Sequence, residues 1–265
     1  MRLAAIGSNC VDCYHTHNSV KGYPGGGPVN MAVYTTRLGG NASYIGPIGN
    51  DDNGKILIEG LESKGVNISH LEVKEGDTAV TDVELVNGER IFGEYREGVM
   101  KDYKLSSSDI DFILSHDVVV ADLWGHSEKY LQSLQYNGIK TAFDCANRVD
   151  DKVCKLAIPF TDYLFFSYDG EDNPLLRDKM LEVANEGPKY VIVMLGENGS
   201  MCLHDDVFYQ QGIYQADNLL DTMGAGDSYI AGFLFGQIEY DGDIKKSMDL
   251  GARTATETIS YFGAW

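Results

Sequence analysis

Apolar runs alternate with helical patterns along most of this chain, and this alternation is the feature that most limits how it can fold. Several runs are nearly continuous in valine, isoleucine, phenylalanine and tyrosine, as expected for strands buried on both faces. The predicted strands cover residues 3–6, 43–48, 118–121, 141–143, 163–166 and 190–195. The predicted helices cover residues 29–38, 53–64, 108–115, 128–135, 175–185, 225–239 and 244–260. This order predicts an α/β fold with a mainly parallel sheet.

One region departs from this alternation. Between Asp77 and Tyr95 polar and apolar residues alternate around Asn87-Gly88, a dipeptide that is typical of a tight hairpin turn. With an extended piece near residues 10–20, the region around residues 77–97 predicts a small β-sheet that projects from a single domain spanning residues 1–265. The sheet is either decorative or, as we expect, a lid over a site. So small a sheet is marginally stable alone, so we expect it to pair with a second copy in a homodimer.

Composition excludes several classes of partner. The 265 residues carry a formal net charge of −19, which disfavours binding to nucleic acid or to an anionic membrane surface. A phosphate site would therefore depend on backbone N–H groups and a metal ion rather than on a basic patch. We find no apolar stretch long enough to cross a bilayer and no signal-peptide pattern. Five cysteines without framework spacing fit reduced thiols, so we expect a cytoplasmic protein.

Four residues near the start of the chain could suggest a zinc ion: Cys10, Cys13, His15 and His17. Zinc modules usually draw two ligand pairs from segments that a longer loop separates. In an extended strand, moreover, Cys10 faces away from the other three residues. We therefore expect no zinc site in this segment.

A glycine-rich turn near residue 225 carries the strongest functional signal. Glycines on both sides of Ala225 let the backbone turn tightly and approach a ligand closely. The apolar helical pattern that follows begins with unpaired N–H groups and the positive end of a dipole. Asp227 lies at this point, and phosphoryl transfer to an alcohol needs a base beside a site for negative charge. A simple N-cap would explain Asp227 but neither the glycines nor the preceding Asp221-Thr222.

A second glycine cluster, residues 25–27, precedes the first predicted helix. Its spacing from the first strand is too long for a dinucleotide-binding turn, which takes about 2–6 residues. Asn30 has two donors and an acceptor and can bind a sugar hydroxyl. Asp12, at the base of the predicted lid, can accept hydrogen bonds from vicinal hydroxyls.

With these two clusters the chain resembles the ribokinase or PfkB family of carbohydrate kinases. Residues 26–30 resemble the family's N-terminal signature, and residues 221–227 resemble its C-terminal signature, with Met223 where a threonine is frequent. The resemblance covers essentially the whole chain. It implies a ribokinase-like three-layer α/β/α fold, Rossmann-like and mainly parallel, with a small β-sheet lid. It also implies ATP and a sugar as substrates and Mg²⁺ as cofactor.

The resemblance implies roles for individual residues. Asp227 resembles the general base, and the backbone of Gly224, Ala225, Gly226 and Asp227 resembles the anion hole. The implied sugar ligands are Asp12, Gly26, Gly27 and Asn30. The implied nucleotide-binding residues are Leu195, Gly196, Glu197 and Gly199, together with Gly224 and Gly226.

The resemblance also implies two ion sites. Members commonly respond to a monovalent cation such as K⁺, for which Asp221 and nearby carbonyls would be the candidates. An Asn-x-x-Glu motif usually follows the strand predicted at 163–166, but here that segment reads Ser167-Tyr168-Asp169-Gly170-Glu171. The asparagine is absent and the glutamate comes one residue late. Glu171 is thus the candidate for ordering water around Mg²⁺.

Four stretches, residues 92–100, 124–126, 195–200 and 263–265, resemble a subgroup of the family that phosphorylates the 6-hydroxyl of fructoselysine, a sugar–lysine Amadori adduct. Such a substrate is positively charged at its amines, which Glu84, Glu94 and Glu97 on or beside the lid could attract. The implied sugar-pocket residues are Glu84, Tyr95, Trp124 and His126, the last two because ligands bind at the carboxyl ends of strands in open α/β folds.

The sequence is also compatible with other functions. The acceptor can instead be fructose, ribose or a nucleoside. A catalytically silent sensor that binds sugar and nucleotide would be free to lose its base, so the intact residues 224–227 argue against it. A purely structural protein that uses the hairpin edge leaves both glycine clusters unexplained.

Overall fold

The computed structural model describes residues 1–15, 20–86, 89–216 and 218–265, and between residues 85 and 92 it describes backbone only. The strands are β1 (Arg2–Ile6), β2 (Cys10–His15), β3 (Val20–Gly25), β4 (Asn41–Ile45), β5 (Pro47–Gly49), β6 (Glu72–Lys74), β7 (Val80–Val86), β8 (Glu89–Arg96), β9 (Val118–Asp122), β10 (Lys140–Asp144), β11 (Tyr163–Ser167), β12 (Tyr190–Met194), β13 (Ser200–His204) and β14 (Val207–Gln211). The helices are α1 (Gly27–Arg37), α2 (Asp52–Ser63), α3 (Ser107–Leu114), α4 (Glu128–Tyr136), α5 (Lys152–Ala157), α6 (Pro174–Ala184), α7 (Ala225–Glu239) and α8 (Ile244–Thr258). Short 3₁₀ turns lie at Gly98–Asp102, Ile158–Phe160 and Gly196–Asn198.

The main sheet has the strand order β14-β13-β12-β11-β10-β9-β1-β4. Its strands from β12 to β4 are parallel, and β13 and β14 add an antiparallel hairpin at one edge. The chain builds outward from β1 in both directions, since β4 lies on one side of it and β9 on the other. The carboxyl ends of β1 and β9 therefore form the switch point at which open α/β sheets bind ligands.

Helices cover both faces of this sheet, which confirms the predicted three-layer fold. Alternate strand residues point to opposite faces. Val118 and Val120 join the apolar cluster that contains α1, α2, α7 and α8, whereas Val119 and Ala121 join the cluster that contains α3 to α6. Because both faces are covered, the strands are apolar throughout, as the sequence predicts.

The lid is a separate sheet with the strand order β3-β2-β7-β8. Strand β2 pairs antiparallel with β3 and parallel with β7, and β7 pairs antiparallel with β8. The sheet is larger than predicted because a further strand, β3, follows the extended piece predicted near residues 10–20. This strand continues to Gly25, two residues before α1 begins. The predicted turn at Asn87-Gly88 lies outside the described residues.

One predicted strand is in fact two. Residues 43–48 divide into the end of β4, which pairs with β1, and β5, which pairs with β6 in a small sheet of its own. The break falls at Gly46, where an added Cβ would lie 2.3 Å from the Tyr44 hydroxyl oxygen. Over the described ranges, we find no helix long and apolar enough to span a membrane.

Candidate active site

A cavity of about 470 Å³ opens where the carboxyl ends of β1, β9 and β10 meet the lid. Its lining residues come from the loop after β1, the lid, the start of α1, the ends of β9 and β10, and the start of α7. They are Ser8, Asn9, Cys10, Asp12, Gly26, Gly27, Asn30, Thr81, Gly93, Tyr95, Asp122, Trp124, Asp144, Met223 and Asp227. The structure thus brings the predicted sugar ligands Asp12, Gly26, Gly27, Asn30, Tyr95 and Trp124 together with Asp227.

The start of α7 is formed as the glycine-rich turn predicts. Gly224 is the N-cap residue and has a φ of 75°, a left-handed conformation. A Cβ at this position would lie 2.9 Å from the carbonyl oxygen of Ala264. The N–H of Ala225 donates to Thr222 and that of Ser228 donates to Gly224, so the N–H groups between them are placed to bind an anion.

Asp227 is held by α1 at the edge of the first cavity. The Asn30 side-chain amide donates to Asp227 Oδ2 at 2.7 Å. The pKa of Asp227 is raised to about 6, mainly by burial. The hydrogen bond from Asn30 lowers this pKa, and the charge of the Asp12 carboxylate raises it. The group is therefore mostly ionised at neutral pH but close to its titration, as a general base requires.

Two further carboxyl groups, which the sequence analysis missed, line the same cavity. Asp122 ends β9 and Asp144 ends β10, and both are buried. Burial is the main cause that raises the pKa of Asp122 to about 7 and that of Asp144 to about 8, and the charge of Asp227 raises both further. Asp122 accepts a hydrogen bond from the Ser8 hydroxyl, and Asp144 Oδ1 accepts one from the Ala146 N–H at 2.9 Å.

Two carboxyl groups beside Gly27 explain the absence of a side chain at that position. A Cβ at Gly27 would lie 3.2 Å from Asp122 Oδ2 and 3.3 Å from Asp227 Oδ1. A methyl group at this point would separate both oxygens from a ligand in the cavity. Gly27 therefore leaves the carboxylates open to a bound hydroxyl or amine.

A second cavity, of about 550 Å³, lies on the other side of the α7 start. Its walls are the turn after β12, the segment after β14, and the facing sides of α7 and α8. The predicted nucleotide residues Gly196, Glu197, Gly199 and Gly226 line it, as does Ala225. Two other predicted nucleotide residues, Leu195 and Gly224, do not line it: Leu195 is buried and lines a smaller neighbouring cavity, of about 310 Å³, and Gly224 is buried as the N-cap of α7. The first turn of α7 thus contributes to both large cavities.

Two predicted sugar-pocket residues lie outside the first cavity. Glu84 is exposed on β7, three residues after the cavity residue Thr81, and so lies on the other face of the lid. His126 contacts Glu97, with 3.2 Å between Nε2 and Oε1, and is partly exposed.

Two acidic residues were predicted near ions. Glu171 is exposed and lines the 310 Å³ cavity with Ser200 and Gly212, which also line the 550 Å³ cavity. Mg²⁺ usually takes one or two carboxylates besides phosphate oxygens and water, so a single carboxylate beside the second cavity fits this ion. Asp221 is buried; its Oδ1 accepts from the Met223 N–H at 2.9 Å and its Oδ2 from the Gly263 N–H at 2.8 Å. Its carboxylate thus stabilises the turn, and cation binding by nearby carbonyls stays a prediction.

The segment with the suggested zinc ligands forms part of the lid. Cys10 lines the first cavity, and His15 pairs with Asp82 at 2.9 Å. Within the described ranges, which exclude His17, no group of three or more His, Cys, Asp or Glu side chains is arranged to bind a metal ion. The cysteines at positions 10, 13, 145, 154 and 202 are free.

Comparison with known proteins places this geometry in a family. The family model described as pfkB family carbohydrate kinase matches residues 2–265. The chain is 43% identical to a fructoselysine 6-kinase of Shigella flexneri over 263 residues, which are 99% of each chain. It is 33% identical to a fructosamine kinase of Bacillus subtilis, with 100% of this chain and 93% of that protein covered.

Solved structures share the fold. The Arabidopsis thaliana ribokinase complexed with ribose and ATP matches with a TM-score of 0.90 at 20% identity, covering 99% of this chain and 94% of the other. An uncharacterized sugar kinase from Pyrococcus horikoshii in complex with ATP matches with a TM-score of 0.81 at 24% identity, covering 99% and 94%. These likenesses confirm the ribokinase-like architecture.

The raised pKa of Asp144 predicts a pH-dependent stability. Between the ordinary pKa of 3.8 and about 8, the folded protein holds a proton that the unfolded chain has released, so stability falls as pH rises. Asp144→Asn keeps the acceptor for Ala146 and removes this loss. In thermal unfolding at pH 8.5, we expect the Tm of Asp144→Asn to exceed that of the unsubstituted protein by about 3 °C or more. At pH 5 the difference should be smaller.

The matched control is Asp243→Asn at the N-cap of α8. There the Lys246 N–H lowers the pKa of the exposed carboxyl, so this substitution should not gain stability as pH rises. A Tm difference for Asp144→Asn that stays constant from pH 5 to pH 8.5 would contradict the proposed protonation of Asp144.

Proposed function

Because this chain belongs to the PfkB family of carbohydrate kinases, we propose that it transfers the γ-phosphoryl group of ATP to the 6-hydroxyl of fructoselysine. One observation carries the proposal: the first turn of α7 contributes Asp227 to one cavity and Ala225 and Gly226 to the other. A sugar in the first cavity and the phosphate tail of ATP in the second would therefore meet at this turn.

Asp227 would serve as the general base. Its carboxylate accepts the proton of the attacking hydroxyl while the oxygen bonds to the γ-phosphorus and the bond to the ADP oxygen breaks. The Asn30 amide holds Asp227 Oδ2, which leaves Oδ1 for the substrate. Oδ1 is the atom that lies 3.3 Å from the position of an added Gly27 Cβ, on the open side of the site.

The N–H groups at the start of α7 would stabilise the charge that develops on the transferred group. They cannot pair within the helix, and the helix dipole adds positive potential at this end. The chain has a net charge of −19, and no basic side chain is among the described residues that line either large cavity, so these N–H groups are the local source of positive potential at the turn that contributes to both. Mg²⁺ bound to the phosphate oxygens, with water ordered by Glu171, would supply further neutralisation.

The carboxylates of the first cavity support a cationic acceptor. Asp12, Asp122, Asp144 and Asp227 line it together, and ionising all four without a counter-charge is unfavourable in a buried site. The protonated secondary amine of fructoselysine would offset this charge, whereas fructose or ribose brings none. In this proposal the bound amine favours the ionised forms of the buried pair Asp122 and Asp144, so that this pair, rather than the exposed Glu84, holds the amine.

The remaining expectations concern the surroundings of the reaction. We propose a monovalent-cation site at the carbonyls near Asp221, activity in the cytoplasm where ATP is available, and a homodimer that forms through the lid. The lid would exclude water, so that ATP phosphorylates the sugar and not the solvent. Light scattering of the purified protein tests the dimer.

Removal of the base tests the mechanism. Asp227→Asn keeps the size and one acceptor but cannot take a proton, so we expect kcat to fall by about 10²- to 10⁴-fold with nucleotide binding nearly unchanged. A coupled ADP-release assay and calorimetric titration with ATP measure the two quantities. Near-normal kcat in this variant would remove Asp227 from the role of base.

The pKa of Asp227 predicts the acid side of the pH profile. The base must be ionised, and its pKa is raised to about 6, so kcat/KM should decrease as pH falls through about 6. Initial rates at fixed ionic strength from pH 5 to pH 8 measure this limb. A profile that stays flat down to pH 5 would contradict the assignment.

The choice of acceptor tests the substrate. We expect kcat/KM for fructoselysine to exceed that for fructose by about 10- to 100-fold, because a hydrogen bond to a charged group stabilises binding by about 1.5–3 kcal/mol. Glucoselysine, ribose and adenosine complete the panel, and NMR of the product identifies the phosphorylated hydroxyl. Equal use of fructose and fructoselysine would exclude the proposed role of the amine.

A further inference from the structure

The indole of Trp265 reaches the base through one intermediate side chain. Trp265 Nε1 donates to Asn30 Oδ1 at 2.7 Å, and Asn30 Nδ2 donates to Asp227 Oδ2 at 2.7 Å. Trp265 does not line either large cavity, whereas Asn30 is buried at the start of α1. Residues 235 positions apart in the sequence thus form a continuous chain of hydrogen bonds that ends on Asp227.

The chemistry of the indole settles which way the Asn30 amide points. An indole N–H is a donor only, so its partner must be the oxygen of the amide. The NH₂ group of Asn30 is then directed at Asp227. Without the indole, the amide could rotate by half a turn and present its oxygen to the carboxylate, which would disfavour the ionised form.

The position of the indole is itself fixed by packing. Its six-membered ring lies beside Gly60 of α2, where an added Cβ would be 3.0 Å from Cη2 and 3.1 Å from Pro24 Cγ. The Lys64 ammonium lies 5.8 Å from the ring centroid. The preceding residues are fixed as well, since the Gly263 N–H donates to Asp221 and the Ala264 carbonyl accepts from the Tyr34 hydroxyl.

We propose that Trp265 is a positioning residue for the reaction: it orients the Asn30 amide so that the amide stabilises the ionised form of Asp227. The proposal rests on the proposed role of Asp227 as base. Trp265 acts through Asn30 and needs no contact with either substrate. Asp12 and Asn30, by contrast, line the first cavity, where a substrate can contact them directly.

Other titratable groups also face Asp227 and must be held constant in any test. They are Cys10 and Asp12 on β2, Tyr95 on β8, Asp122 at the end of β9 and Asp144 at the end of β10. The acidic residues among them raise the pKa of their neighbours, whereas the Asn30 amide lowers that of Asp227. Loss of the oriented amide should therefore move the titration of Asp227 to higher pH.

Trp265→Phe keeps an aromatic ring and removes only the N–H donor. We expect the acid limb of kcat/KM to move up by about 0.5 to 1 pH unit, so that activity falls about three- to tenfold at pH 5.5 and much less at pH 8. In the Asn30→Ala background the same substitution should have no further effect on that limb. An unchanged acid limb in folded Trp265→Phe would overturn the proposal.

Two variants separate positioning from packing. Lys64→Ala removes a cation beside the indole but leaves its N–H, so the acid limb should not move. Gly60→Ala crowds the six-membered ring of the indole and, by displacing its N–H from Asn30, should move the limb in the same direction as Trp265→Phe. Gly60→Ala also serves as the test if Trp265→Phe does not fold. If the acid limb of kcat/KM in Gly60→Ala then coincides with that of the unsubstituted protein, the proposal is overturned.

A measurement without turnover distinguishes failure of this proposal from failure of the proposed function. The chain has two tryptophans, so the indole ¹⁵N–¹H spectrum should show two signals, which Trp265→Phe assigns. The chemical shift of the Trp265 signal should change with pH, with a midpoint near pH 6. In Asp227→Asn this pH-dependent change should be absent. If the protein phosphorylates no sugar but shows this titration, the orienting chain stands and the function falls. If the Trp265 signal does not titrate, the positioning role is wrong.

Discussion

The start of α7 is the constraint on which both halves of the site depend. One turn of helix must place a carboxylate in the first cavity and N–H groups in the second, so an error in its position would affect both substrates. The Asp221 carboxylate fixes this turn by accepting from the N–H groups of Met223 and Gly263. The left-handed Gly224 then lets the chain pass the Ala264 carbonyl, at a distance no side chain could tolerate. Residues 263–265 thus contact the site from outside: the Gly263 N–H donates to Asp221 beside the turn, and the Trp265 indole donates to the Asn30 amide that holds Asp227.

Burial and crowding of carboxyl groups give the first cavity its chemical character. A chain with net charge −19 could hold acidic side chains apart on its surface, yet four of them line one cavity. Burial raises the pKa values of Asp122, Asp144 and Asp227, and the charge of a neighbouring carboxylate raises each of the three further. The same arrangement therefore tunes Asp227 towards neutral pH and prepares the cavity for a positive charge. Under the proposed function, replacing one of the carboxyl groups would change both properties together, so the pH dependence of stability and the choice of acceptor would be linked.

The fold could be predicted where the apolar pattern was long and regular. The predicted helix at 225–239 has the observed bounds. The bounds of the parallel strands β1, β9, β10, β11 and β12 differ from the predicted ones by at most one residue, whereas the strand predicted at 43–48 divides into β4 and β5. The hairpin of β13 and β14 was missed because its turn contains no glycine: Asp205 and Asp206 both take positive φ, a conformation that Asn-Gly or Asp-Gly usually signals. Helix α5 was missed because six residues are too few to show a period. These failures share a cause, since short elements are fixed by tertiary pairing and leave little trace in local sequence.

The residues of the candidate site also differ in how well the sequence predicts them. Asp227 and its glycines are contiguous, so their chemistry is visible in the sequence, and the same is true of Asn30 after its own glycines. Asp122 and Asp144 had a weaker signal: each ends a strand, where ligands bind in open α/β folds, but nothing in the local sequence distinguishes them from other acidic residues at strand ends. Trp265 belongs to one of the stretches that resemble the subgroup, but the sequence assigned it no role, because its proposed role comes from a partner 235 residues away. Sequence motifs identify groups that touch substrate, whereas the side chains that orient those groups come from whichever segment the topology brings alongside, and only coordinates reveal them.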